Sequence, residues 1–287
     1  MYKLKIFSSF GKSENCKDIW ERICETKDMD NYGIDKDIYI TNDDDYTHVI
    51  ILNTAMPEIP SHILKKNVIG LAFEPLPFLN LTDEFIEYAI KNIEKYYIGT
   101  KDALPEPFVE SYSFMWHMRP YNTIPDKTKM MSLMISNKYE AFGHKYRHLL
   151  AKYIILNNLP IDIYGNGCEI YSSEYSQLKG SFEENEPYQD YMFHISIENM
   201  QTPHYFSEKI TNCLLSGTTP IYLGCLNINN YFPNNVINLT GNIEKDLNIL
   251  VYILKDPLAF KKNIELNNIK DKVYLLRNLD RIFNEVK

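Results

Sequence analysis

The chain has 287 residues, 45% of them hydrophobic and 24% charged, which is long enough and apolar enough for two globular domains with their own cores. Its net charge of −8 excludes the broad basic surface that a nucleic acid or an anionic membrane requires, so any anionic ligand must be held by a few local cations. No apolar run approaches the ~20 residues of a membrane span, and the 5 cysteines are scattered without a Cys-x-x-Cys pair, which argues for a reducing compartment and against a structural zinc site.

Residues 2–7 alternate as a strand from the start of the chain rather than as a signal peptide, so the expected location is cytoplasmic and soluble, with no membrane anchor. A short amphipathic helix over 16–24 follows, then strands over 37–41 and 47–53. The Asp43-Asp44-Asp45 run between them reads as a solvated turn, not as a metal motif. An apolar strand over 68–73 ends in Glu74-Pro75; a helix over 82–93 with Thr82 as its cap and a strand over 95–99 complete a βα series. Residues 105–129 hold Pro105, Pro107, Pro120 and Pro125 and read as a connection between domains, with the boundary at 125/126. The second series has a strand over 130–136, a helix over 144–157, strands over 161–164 and 194–197, and a last strand over 236–239. Helix follows over 243–255 and over most of 257–287. The histidines show no metal-ligand spacing, so no tightly bound metal is expected.

The richest segment runs Phe193-His-Ile-Ser-Ile-Glu198-Asn199, a polar loop through Tyr205, then Ser207-Glu208-Lys209, an apolar helix, Gly217, and Thr219-Pro220-Ile-Tyr-Leu-Gly224. Ser207 has the chemistry of an N-cap, Gly217 closes the helix, and 219–223 begin a buried strand. In a parallel sheet, polar groups at strand ends and helix starts are where ligands bind, and the unpaired N–H groups of a helix start favour anions.

Glu198-Asn199, Tyr205, Glu208-Lys209, Pro220 and Gly224 resemble, in order and spacing, the signature of the family-10 glycosyltransferases, the α1,3/α1,4-fucosyltransferases, with Met200 where Ser or Thr is usual. The chain looks like the soluble bacterial and viral members. The resemblance implies an α/β GT-B architecture, two Rossmann-like domains facing a cleft, with residues 1–125 binding the acceptor and 126–287 the nucleotide sugar, the final helix packing back. It implies inverting transfer of fucose from GDP-fucose to a hydroxyl of a glycan acceptor. Arg147 and Lys209 would carry the diphosphate charge, Glu208 the ribose hydroxyls, and Tyr205, Asn199 and Glu198 the nucleotide and sugar. Glu74, at the end of an apolar strand, would be the base that takes the acceptor proton. A loosely bound Mn or Mg ion is compatible with this scheme. Two alternatives stay open: a related transferase using another nucleotide sugar, and a non-catalytic glycan-binding protein on the same fold.

Overall fold

A computed structural model describes residues 1–284. The chain divides into two compact units, one holding Met1–Arg119, Thr202–Tyr205 and the residues from Asp271 on, the other Pro120–Gln201 and Phe206–Lys270.

The first unit is built on six parallel strands, β1 (Tyr2–Ser8), β2 (Ile38–Ile40), β3 (His48–Leu52), β4 (Val68–Leu71), β5 (Lys95–Ile98) and β6 (Phe108–Glu110), in the order β2-β1-β3-β4-β5-β6. Strands of such a sheet are covered on both faces and read as continuous apolar runs, as in β3, where Val49, Ile50, Ile51 and Leu52 are all fully buried. Helices α1 (Ser13–Arg22) and α2 (Asp83–Asn92) belong to this unit, and Thr82 caps α2 as expected, its Oγ1 accepting from Phe85 N at 3.2 Å. Asp44 and Asp45 are exposed and pair with Lys5 and Lys3, the surface role their run suggests.

The second unit repeats the plan with β7 (Lys129–Met134), β8 (Asp162–Tyr164), β9 (Leu178–Gly180), β10 (Tyr191–Ile197), β11 (Thr219–Leu223) and β12 (Ile237–Asn238). All are parallel, in the order β12-β11-β10-β7-β8-β9. Helices α3 (Phe142–Leu156), α4 (Glu208–Leu215) and α5 (Ile243–Lys255) pack around it. The bounds 219–223 and 243–255 coincide with the expectation, and Gly217 ends α4 at φ 66°, a conformation open to glycine without strain. In each sheet the chain first builds to one side and then crosses to the other, so a switch point falls between β1 and β3 and again between β7 and β10.

Two edge strands were not evident in the sequence. β6 lies inside the proline-rich stretch, where only three residues pair; Phe108 earns its place by packing on Tyr96, ring centroids 5.0 Å apart. β9 is equally short and polar. The helical tail is interrupted, as Pro257–Phe260, Leu266–Val273 and Leu279–Asn284, and residues 285–287 of the expected stretch lie outside the described residues.

Two polar ties hold the second unit together. Lys127 Nζ donates to Gln189 O, Ser216 O and Thr218 Oγ1, each at 2.8 Å, and burial pulls its pKa down to about 8. Asp246, fully buried on α5, accepts from Tyr146 Oη at 2.6 Å, Thr240 N at 2.8 Å, Thr240 Oγ1 at 2.7 Å and Gly241 N at 2.9 Å. Its removal strands several donors at once, and buried donors without acceptors are costly. Asp246→Ala should therefore lower stability by roughly 2–4 kcal/mol, and Tyr146→Phe by about 1 kcal/mol. Urea unfolding measures both; equal midpoints for Asp246→Ala and the native chain would show that the tie is redundant.

Candidate functional site

At the switch point of the second sheet, the diverging ends of β7 and β10 open a cavity of about 640 Å³, within the usual range for small-ligand sites. Its walls include Arg147, Asn199, Glu208 and Lys209, together with Lys138 and His194. A cavity of about 620 Å³ in the first unit is lined by Asp28, Asp30, Asp37, Asp271 and Asp280 with Arg277, an acidic surround that disfavours an anion.

The cationic wall depends on Glu198. This carboxylate, 1% exposed at the end of β10, accepts from Ser207 N at 2.9 Å and from Ser207 Oγ at 2.7 Å. Ser207 in turn caps α4, accepting from Lys209 N at 3.4 Å, and lies 3.1 Å from Lys209 Nζ. The ammonium also donates to Glu208 Oε1 at 2.9 Å and stands 3.7 Å from Glu198 Oε2. Burial works against a charge on Lys209, but the carboxylates of Glu208 and Glu198 outweigh it and raise its pKa, so it is a cation at neutral pH. Burial likewise pushes the Glu198 pKa up, against the pull of Lys209, whereas for Glu208 the attraction of Lys209 overcomes burial and holds the pKa below the ordinary value.

Arg147 reaches the same place from α3. Its guanidinium donates to Ile197 O at 3.2 Å and Asn199 Oδ1 at 2.9 Å, and its positive charge is felt by Lys209. The helix comes this close because residue 143 is glycine: a Cβ there would lie 1.8 Å from Glu198 O, and Gly143 N donates to Asn199 O at 3.0 Å. Two cations and a helix N-terminus facing one cavity suit a diphosphate.

Of the residues singled out in the sequence, Arg147, Asn199, Glu208 and Lys209 meet on this cavity. Glu198 lies beneath Lys209 rather than on the lining. Tyr205 is buried in the first unit against Gly99, and Glu74 follows β4 in the first unit. Sequence reasoning passed over Lys138, Phe182, Tyr188 and the ligand-facing place of His194. Period-two alternation along β10 could have flagged His194, which shares a face with Ser196.

Two parallel six-stranded sheets of this kind are the GT-B fold, and the structure of TarM, 14% identical, shares it with a TM-score of 0.50 over 84% of this chain and 51% of its own. Residues 124–241 match the model of glycosyltransferase family 10 (fucosyltransferase), C-terminal part, and over that segment the chain is similar to family 10. Among its relatives are a protein of Acanthamoeba polyphaga mimivirus assigned as a fucosyltransferase, 23% identical over 235 residues (73% of this chain), and alpha-(1,3)-fucosyltransferase B of Drosophila melanogaster, 34% identical over 114 residues (38% of this chain). The chain spans only 36% and 26% of the lengths of these two relatives. Among the described residues no helix is long and apolar enough to cross a membrane.

His194 makes the site's pH behaviour testable. Its Nδ1 lies 2.8 Å from Ser132 Oγ, its ring packs 4.6 Å from Tyr188, and burial drives its pKa down to about 3 from 6.5. A base whose pKa is depressed by folding stabilises fully above the unfolded value, and that contribution is lost as pH falls from 6.5 toward 3. The stability advantage of the native chain over His194→Gln should shrink by about 2 kcal/mol between pH 7 and pH 5. Denaturant melts at both pH values measure it; a pH-independent difference would rule out a buried neutral imidazole.

Proposed function

We propose that this protein transfers fucose, with inversion, from GDP-fucose to a hydroxyl of a glycan acceptor. The single observation that carries the reading is the convergence of Arg147, Asn199, Glu208 and Lys209 on one cavity within the segment that matches family 10. The donor class is further supported by the match to fucosyltransferases of a virus and an insect.

In this mechanism the diphosphate lies across the start of α4. Lys209 moves from Glu208 toward the phosphate oxygens as the leaving group gains charge, and Arg147 offers its planar fork to the same oxygens. Glu208, once released, accepts from the ribose hydroxyls, while Asn199 positions the sugar. Glu198 keeps Ser207 and Lys209 in place from below. Tyr205, as part of the loop between β10 and α4, orients the donor through that loop. Glu74 removes the proton of the acceptor hydroxyl as the donor departs from the opposite face of the sugar. The first unit thus serves the acceptor and the second the nucleotide sugar. A Mn or Mg ion, if used, would travel with the diphosphate and add to the positive charge there. A reducing, cytoplasmic setting suits the buried, unbridged thiols of Cys16, Cys24, Cys168, Cys213 and Cys225.

Thermal-shift measurements against GDP-, UDP- and dTDP-sugars should single out the GDP form, because a ligand that binds only the folded state raises its stability by mass action. A larger shift with another nucleotide would reassign the donor. Lys209→Ala should lose about 2–4 kcal/mol of transition-state stabilisation and bind the donor weakly. Glu74→Gln should lower turnover by roughly 10²–10⁴-fold while leaving donor affinity unchanged. Calorimetry with GDP-fucose beside a transfer assay separates the two roles; donor affinity falling equally in both variants would remove Glu74 as the base.

A further inference from the structure

The two sheets share a topology, but their switch points differ in chemistry. Between the ends of β7 and β10 stand cations; beyond the end of β1 stands a group of aromatic rings drawn from the segments after β1, β4 and β6. Phe10 follows β1 directly. Its backbone is anchored, with Phe10 N donating to Ser8 Oγ at 3.2 Å and Ser9 N to Leu52 O at 3.4 Å, yet its ring is 49% exposed. Phe73, beyond β4, is fixed by its N–H to Asn53 Oδ1 at 2.7 Å, and its ring lies 6.1 Å from that of Phe10. Trp116 meets both edge-on, at 5.4 Å and 5.7 Å, and rests on the buried Trp20 at 5.8 Å. The indole N–H of Trp116 is enclosed and finds no acceptor among the described residues.

We infer that Phe10 and Trp116, backed by the buried ring of Phe73, form a platform for the apolar face of a pyranose ring of the acceptor. The inference rests on the glycan-acceptor reading above and deepens it. One face of a pyranose presents C–H bonds of slight positive charge, which pack on the negative face of an aromatic ring. Its rim presents hydroxyls, which need polar partners at the edge of such a platform. Glu74, the residue after Phe73 in the chain, is the carboxylate we assign to that rim. The place is the one where ligands enter open parallel sheets, and a half-exposed phenylalanine on an anchored backbone is otherwise an apolar surface left to water.

The chain has 2 tryptophans, so NMR of 15N-labelled protein gives two indole N–H signals, with Trp20 as an internal control. The methyl β-glycosides of GlcNAc, glucose and galactose, titrated at millimolar concentration, should shift the Trp116 signal and leave that of Trp20 nearly still. Phe10→Ala should weaken that binding about tenfold, by loss of ring contacts, and Phe10→Tyr should restore it. GDP affinity, measured on the same samples, should be equal in all three forms, because the donor is assigned to the second unit, and an unmoved Trp20 signal in the ligand-free variants shows that the first unit is folded. An unmoved Trp116 signal with every glycoside, or equal affinity for native chain and Phe10→Ala, overturns the platform. Absence of GDP binding in the native chain would sink the donor reading instead, and the indole shift would still decide the platform.

Discussion

Burial of one carboxylate organises the second unit. Glu198 sits where three elements meet, and each approaches it as closely as backbone permits. The start of α3 needs Gly143 to clear its carbonyl, and the turn after β11 needs Gly224, where a Cβ would fall 2.4 Å from Glu198 Cγ. The start of α4 is tied to it twice through Ser207. An isolated buried carboxylate is costly, and the cost is offset only when hydrogen bonds and an opposite charge are supplied together. Ser207 and Lys209 supply them, so the cap of the helix, the position of the cation and the end of the central strand form one cooperative unit.

That coupling explains what was legible in the sequence. The strand 219–223, the cap at Ser207 and the closing Gly217 are local signals: an apolar run, a hydroxyl before a helix, a residue free to adopt positive φ. They could be read one residue at a time. The convergence of Arg147 with Lys209 is not local, since 62 positions of sequence separate residues on two helices, and only the motif's resemblance joined them. Glu198 was expected among the donor-binding residues, and it stands 3.7 Å from Lys209 without lining the cavity, because a motif records which residues occur without distinguishing contact from support. β6 and β9 were missed for a simpler reason: three residues on a sheet edge offer too little alternation to stand out from a loop. Tyr205 shows the same limit, since its burial against Gly99 could not be read from the loop's polar sequence.

Topology and chemistry are separable here. Both sheets place a switch point in the same relation to their strand ends, and the backbone plan alone would predict a ligand at each. What differs is the handful of side chains delivered there: arginine, lysine, glutamate and asparagine at one, phenylalanine and tryptophan at the other. The repeated fold supplies a location, and the side chains set the class of molecule that fits it.

The tie made by Lys127 has a consequence for redesign. Its partners are carbonyl oxygens and a hydroxyl, not carboxylates, and the contacts are short and half-buried. Attraction between exposed ions fades with salt over about 10 Å, but hydrogen bonds from a part-buried ammonium to neutral dipoles are screened far less. The second unit can therefore be recharged over its outer surface, or moved between buffers of very different ionic strength, while the segment entering it stays fastened beneath the end of α4. Arginine would be a poor replacement, because the seat is shaped for a compact point donor and not for a planar fork.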